Sequence, residues 1–529
     1  MFLDFESDAE LPQAFDICVV GGGVVGLVTA WALVQSQLRI LVIEAGGLCD
    51  ELRSQSLYDT AEFTGLKNNG VADGRFRVYG GNGTRWNGQL LPLAPAEFTQ
   101  RELINDAAWP IKPHELEPYF EKIGEMLGLG DTPFDARCYK ILKRQPLDLD
   151  DDVFSVRFSK GLPWKKRNIG KYLKKTLEKS RNITVLLHAN AVEIVLDEDL
   201  SLVSAIRIRS YNGRERLITA NNYILAAGAI EVSRLLLASR NQMPQGVGNR
   251  HDNVGRWFMD HICVRAGYIV PRDRKKLLQG IRPAYVGDVL HTPRFELTET
   301  AQLQSRCLTA YAQITFEAYP DSAFSKLRTL FHEIQNEGVT AMSRSPFWSI
   351  LHDMPDVMAG FVARTVLGLR PIPARSTPVV SLVCEQKPRR ESCISLADTV
   401  DAIGLPKILV NWLAGEEEKT TLLALGRLFE EQLIKSKSGT IQWFDSCNPG
   451  EAAFPAEWAG QYHHVGGARM SASPTDGVVN SECRVHGISN LYIVGNAVFP
   501  TSGCSNPTFT SMALALRLAA KLDGRRASA

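Results

Sequence analysis

The stretch FDICVVGGGVVGLVTAWALVQSQLRILVIEAG, Phe15 to Gly46, limits what this chain can fold into more than any other. Its unbroken apolar opening reads as a strand buried on both faces; the glycines read as a turn, the next apolar run as a helix, and ILVIEAG as a second strand. Two strands running the same way need a crossover, so the unit demands a parallel sheet. Gly21, Gly23 and Gly26 form GxGxxG, in which small residues let backbone approach an anion at a helix N-terminus. Val24 and Val25 fall in the first turn of that helix. Glu44, followed by Ala45, closes the second strand about twenty residues on, where a carboxylate accepts hydrogen bonds from a ribose diol. A solvated strand-end acid is the plainer alternative for Glu44. Residues 17–34 are uncharged over a length that raises a membrane span, yet four glycines at the centre favour strand, turn and helix.

A second organised stretch lies near the other end. YHHVGGARM, then LYIVGNAVFPT with its Gly495–Asn496 turn, then GCSNPTFTSMALALRLAAKL bring a histidine pair, a polar turn and a helix start within about sixty residues. His463 suits a general base, because imidazole titrates near neutral pH; a structural histidine is the plainer alternative. Asn506 before Pro507 is a good helix N-cap followed by a good first helical residue. The same amide can also turn toward a substrate oxygen.

Between these ends, FRVYGGNGTRWNGQLLPL packs glycines and a tryptophan into a loop that suits backbone laid against a flat ring system. Residues 101–128 are expected to be helical. Lys165 to Lys179 reads as the solvated face of an amphipathic helix with Leu173 and Leu177 inward. Asn212–Gly213 marks a hairpin, and YILAAGAIEVSRLLL a buried strand running into a helix. Phe324 to Leu369 is expected to be helical, with Pro355 opening a helix that carries Val357, Met358, Phe361, Val362 and Leu369. The 529 residues suggest two domains. The net charge of +1 gives nucleic acid no purchase as a main partner. Ten scattered cysteines without metal-type spacing fit reduced thiols in a cytoplasmic enzyme, and no metal site is expected. The acidic N-terminus lacks the pattern of a signal peptide.

Taken together, GGGVVG with Glu44, GGNGTRWNG, YILAAGAIEVSRLLL, VGRWFMDH, CEQKPRRESCISL with LPKILVNW, HHVGGARM and SNPTFTSMALA resemble the glucose-methanol-choline (GMC) family of FAD-dependent oxidoreductases, in the family's order. The resemblance is strongest to its pyranose-oxidase and bacterial sugar-dehydrogenase branch. It implies an α/β fold, a Rossmann-like FAD-binding domain interleaved with a substrate domain built on an antiparallel sheet backed by helices. Residues 1–100, 181–262 and 441–529 fall to the first; 101–180 and 263–440, with a helical insertion at 324–370, fall to the second. His463 falls on the family's catalytic histidine and Asn506 on its partner position. The positions implied to hold FAD add Gly81, Thr84, Arg85, Trp86, Asn87, Gly88, Val192, Ala227, Gly228, Glu231, Gly495, Asn496, Pro507 and Thr508 to the glycine turn. Gln386 and His464 are implied on the substrate side. Some family oxidases bond the flavin to a histidine where this chain has Arg85, so FAD is expected to be dissociable. The implied reaction takes a secondary ring hydroxyl of a sugar, glycoside or sugar-like natural product to a ketone, with hydride transfer to the flavin N5. A primary or non-sugar alcohol, or a redox-silent lyase, is the alternative. The resemblance leaves the electron acceptor as dioxygen or a redox partner, and the oligomeric state open.

Overall fold

A computed structural model describes residues 1–7, 11–12, 14–58, 61–104, 107–317, 354–372, 376–449 and 459–524. The opening unit forms as its residues dictate. Phe15–Val20 and Ile40–Ile43 are neighbouring parallel strands joined by the helix Val24–Ala32, and nearly all of their residues are buried. Gly21 stands at φ +110, where a Cβ would meet the Ala226 carbonyl oxygen at 2.7 Å; at Gly26 it would lie 1.9 Å from the Gly21 carbonyl oxygen. Only glycine permits that approach of helix to strand.

The sheet grows to six parallel strands in the order Phe2–Asp4, Ile183–Leu187, Ile40–Ile43, Phe15–Val20, Ala220–Leu225, Leu491–Ile493. Segments distant in sequence therefore meet on one sheet, and the helices Gly228–Ala238 and Pro507–Leu522 start at its edge of strand C-termini. The helix Pro507–Leu522 packs against Val24–Ala32. Beside this sheet, Asn190–Leu196, Val203–Arg209 and Glu215–Ile218 form a three-stranded antiparallel sheet, with the expected turn at Gly213, φ +83.

The second sheet is antiparallel, in the order Gly439–Trp443, Ile262–Pro271, Thr377–Cys384, Ala310–Glu317, Val289–Leu297, Phe154–Gly161, Gln89–Leu90. Strand alternation gives it two unlike faces. Ala310, Ala312, Ile314, Phe295 and Leu297 point into an apolar core closed by the helix Glu416–Lys435, where Phe429 packs 5.6 Å from Phe154 and 5.5 Å from Phe295. Tyr311, Gln313, Thr315, Thr292 and Arg294 point the other way, into a cavity.

Three expectations change. Residues 101–128 are helical only over Glu117–Leu127, preceded by a short 3-10 turn at Pro113–Glu115, because the prolines at 110, 113 and 118 favour turns and a helix start over a continuous helix. Ile169–Lys179 is the amphipathic helix expected, with Leu173 and Leu177 buried, but it and Glu117–Leu127 pack into the apolar core of the parallel sheet rather than onto the antiparallel one. Their buried apolar residues complete the parallel sheet's helical layer. Met354–Thr365 is a helix with Pro355 in its first turn, and Leu369 lies beyond its end. The rest of the expected helical stretch from Phe324 falls outside the described residues.

Candidate active site

One cavity of about 1990 Å³ runs from the glycine turn to the polar face of the antiparallel sheet. Ordinary ligand pockets measure roughly 300–1,000 Å³. This one has room for a dinucleotide and a substrate end to end.

Three helices point their N-termini into it, and none has a side-chain cap: Val24–Ala32, Gly228–Ala238 and Pro507–Leu522. Free backbone N–H groups and the helix dipole make each an anion-favouring end. At Gly23 and Gly228 a Cβ would meet nothing within 4 Å, so backbone there faces open cavity. Glu44 lines the wall, its carboxylate accepting the Gly22 and Gly46 amides at 2.8 Å each. Burial raises its pKa, against the pull of those amides and of Arg77. Each carboxylate oxygen keeps a second lone pair for a ligand hydroxyl. Nearby, Arg75 (2.7 Å), Arg77 (3.4 Å) and Arg234 (3.5 Å) surround Glu231. Burial alone would raise this carboxyl, but Arg234, Arg75 and Arg77 together hold it at about 2. Arg77 keeps a buried Nε with no partner among the described residues. These features fit an anionic, ribose-bearing dinucleotide.

The other expected cofactor residues divide. Val25, Ala45, Gly81, Arg85, Trp86, Asn87, Gly88, Ala227, Gly495, Asn496 and Thr508 line the cavity. Arg85 pairs with Asp50, and its guanidinium lies 4.9 Å from the Phe76 ring centroid. Thr84 and Gly26 do not line it: the Thr84 hydroxyl donates to the Gly81 carbonyl at 2.9 Å, and Gly26 serves the helix–strand contact. The Val192 side chain sits in a small apolar cluster with Leu57, Ile403 and Leu405, while Ala189 and Ala191 face the cavity.

At the far end, His463 Nε2 lies 3.3 Å from Asn506 Nδ2, and His463 Nδ1 lies 3.0 Å from His261 Nδ1. Asn506 occupies the N-cap position without capping. Its Oδ1 instead accepts from Arg294, which also donates to the Cys504 carbonyl at 3.1 Å and stacks over Tyr311 with 4.6 Å to the centroid. Burial, then the nearby His261, Arg294 and His464, lower the His463 pKa well below the ordinary histidine value. The imidazole is therefore neutral near pH 7 and able to accept a proton.

The loop holding His463 is tied by one buried carboxylate. Asp260 Oδ1 accepts the backbone amides of His261 (2.7 Å), His463 (2.9 Å) and Gln461 (3.2 Å), and Oδ2 accepts Asn68 Nδ2 at 3.0 Å. His464 lies on the cavity wall, 3.7 Å from Asp260 Oδ2 and too far for a hydrogen bond; burial pushes it down to about 4. Gln386, expected on the substrate side, is buried away from the cavity. Its Oε1 accepts the Asp260 amide (2.9 Å) and Trp412 Nε1 (2.7 Å), which makes it a brace behind the site. The sequence alone does not point to Asp260, His261, Arg294 or Gln313 as site residues. The only signal for the first two was the segment VGRWFMDH, and the last two lie on strands whose alternation shows a polar face but not what it faces.

Comparison with known proteins accords with this architecture. Residues 164–263 match the N-terminal and 388–515 the C-terminal GMC oxidoreductase domain, and 19–55 match an NAD(P)-binding Rossmann-like domain. The chain is 22% identical to paromamine 6'-oxidase of Streptomyces fradiae, over 97% of this chain and 92% of that one. It is also 22% identical to 2-methyl-1,2-propanediol dehydrogenase of Mycolicibacterium austroafricanum, over 95% and 94%. A fungal aryl-alcohol oxidase shares the fold with a TM-score of 0.58 at 15% identity, covering 97% of this chain and 99% of that one. With both family domains in place around a dinucleotide cavity, the chain belongs to the GMC oxidoreductases, FAD enzymes that act on CH–OH donors.

Proposed function

We propose that this protein oxidises a secondary ring hydroxyl of a sugar, glycoside or sugar-like natural product to a ketone. The observation that carries the reading is the pairing of His463 Nε2 with the Asn506 amide, in the cavity, beside the uncapped N-terminus of Pro507–Leu522. An alcohol carbon is a poor hydride donor until its hydroxyl proton leaves. His463 Nε2 takes that proton, while Asn506 donates to the same oxygen and holds the carbinol in place. FAD, when bound, supplies the hydride acceptor. The free amides of Pro507–Leu522 favour negative charge that develops at that end of the cavity. The carbinol proton goes to His463 Nε2, and bound FAD would take the hydride, leaving a carbonyl.

The sugar class is supported by the wall opposite. Gln313, Thr292, Ser159 and Gln89 line one side of the cavity with hydroxyl and amide groups, and Thr292 Oγ1 is buried without a partner among the described residues. A polyol can pair with Thr292 Oγ1, which a plain apolar alcohol leaves unpaired at a cost of about 1–3 kcal/mol; Ser159 Oγ already donates to Gln89 Oε1 at 2.8 Å. Residues 1–100, 181–262 and 441–529 build the cofactor side, with two helices from 101–180 laid on its sheet, and 263–440 the substrate side. FAD is held without a covalent bond, since Arg85 offers no nucleophile. The dehydrogenase relative named for a diol supports a second reading, a non-sugar alcohol. Anaerobic mixing of the holoenzyme with a panel of sugars, glycosides and simple alcohols decides between them. Flavin bleaching by sugars or glycosides is expected; bleaching by simple alcohols alone would replace the first reading with the second.

A further inference from the structure

We propose that His261 is a positioning residue for this reaction: it locks His463 in the tautomer whose Nε2 lone pair faces the cavity. The inference rests on the role given above to His463, and it follows from a hydrogen-bond chain whose two ends admit one direction only. At one end stands the Arg294 guanidinium, which is donor-only. The Asn506 atom it touches must be the carbonyl Oδ1, so the atom facing His463 is the amide nitrogen, a donor. His463 Nε2, 3.3 Å away, must accept and so carries no proton.

At the other end stands the Ser502 backbone carbonyl, which is acceptor-only. His261 Nε2 lies 3.4 Å from it and must donate. Burial lowers the pKa of both histidines, so each ring carries a single proton near neutral pH. The single proton of His261 is then on Nε2, and its Nδ1 is a lone pair. His463 Nδ1, 3.0 Å from that lone pair, must hold the His463 proton and donate it. The two rings meet through their Nδ1 atoms, 3.0 Å apart, with centroids 4.9 Å apart and planes inclined at 77°. The sequence runs without a break: Arg294 to Asn506, Asn506 to His463, His463 to His261, His261 to Ser502.

Both ends of the chain are anchored. Arg294 is 3% exposed and His261 is fully buried, and Asp260 clasps the backbone amides of both His261 and His463. When His463 takes the substrate proton on Nε2, its Nδ1–H already has an acceptor in His261, so the imidazolium needs no rearrangement. A neutral acceptor does this at lower desolvation cost than a carboxylate in the same buried position.

Two measurements test the arrangement. In holoenzyme carrying 15N-labelled histidine, long-range proton–nitrogen spectra, assigned by the peaks that vanish in His463→Ala, should show a protonated Nδ1 and an unprotonated Nε2 for His463. A protonated Nε2 would overturn the proposal whatever the enzyme oxidises. In anaerobic stopped flow, His261→Phe should slow flavin reduction roughly tenfold to a hundredfold with FAD retained. His261→Asn, whose Oδ1 falls near the lost Nδ1, should recover much of it. A merely structural role predicts that the two variants fail alike; wild-type reduction by His261→Phe would also refute positioning. If no alcohol bleaches the wild-type flavin, the proposed function fails, and the nitrogen spectrum still decides the tautomer.

Discussion

Asp260 is a fully buried carboxylate that accepts three backbone amides on one oxygen and the Asn68 amide on the other. Asp260→Asn keeps its shape and changes two things. The bonds to the amides of His261, Gln461 and His463 lose their charge assistance, and charge-assisted bonds are worth about twice neutral ones. The new Nδ2 also meets a donor, because Asn68 cannot present its own carbonyl: that oxygen already accepts the Gly70 amide at 2.9 Å. Taking about 1 kcal/mol for the weakened set and about 1–3 kcal/mol for one unsatisfied buried donor gives a loss of about 2–4 kcal/mol. The loss falls on the loop carrying His463, where a displacement of about 1 Å costs on the order of a hundredfold in rate. Thermal release of FAD, followed by its fluorescence, should therefore move down by several degrees, and anaerobic flavin reduction should slow by about two orders of magnitude. Wild-type values for both would show that Asp260 does not hold the loop.

Asn506→Ser keeps a favoured N-cap residue but is too short to reach His463; flavin reduction should slow tenfold or more in stopped flow, and an unchanged rate would return Asn506 to a purely structural place. Precipitation in acid should leave a colourless pellet and yellow supernatant, since Arg85 cannot tether the flavin; colour retained on the chain would contradict this. His188 is bonded through Nδ1 to Asp4 and through Nε2 to Glu51, at 2.9 Å each, pinning the edge strand Phe2–Asp4. Burial lowers its pKa, but those two carboxylates outweigh it and the net shift is upward. Its contribution to stability is complete below the unfolded histidine pKa and lost as pH rises through the folded one. Wild type should exceed His188→Ala in denaturation midpoint by more at pH 6 than at pH 9, and an equal gap at both would refute the charged clasp.

The dinucleotide unit was legible because its demands are local. Gly26 is required by a backbone contact with Gly21 inside one strand, turn and helix, and Gly21 by its own φ of +110 as well as by the approach of Ala226, so the spacing shows in the sequence even though one of the contacts is distant. His463 and Asn506 were legible through the segments that carry them. A motif locates a residue along the chain but not the side its side chain takes, and the side chains of Gln386 and Val192 turn into packing rather than into the cavity. Arg294 and His261 were hidden for a related reason. They reach the site by the pairing of strands Val289–Leu297 and Ile262–Pro271 with partners far away in sequence, and that register is a property of the whole sheet. The helices Glu117–Leu127 and Ile169–Lys179 show the same limit at the scale of domains: their amphipathic patterns state that they pack, not on which sheet.

The proposed reaction depends most directly on the imidazole at position 463. Holoenzyme carrying His463→Ala, mixed anaerobically with the sugar or glycoside that best bleaches the wild type, should retain its FAD and reduce it on the order of a hundredfold or more slowly. Reduction at the wild-type rate would remove His463 from the reaction, and with it the mechanism described above.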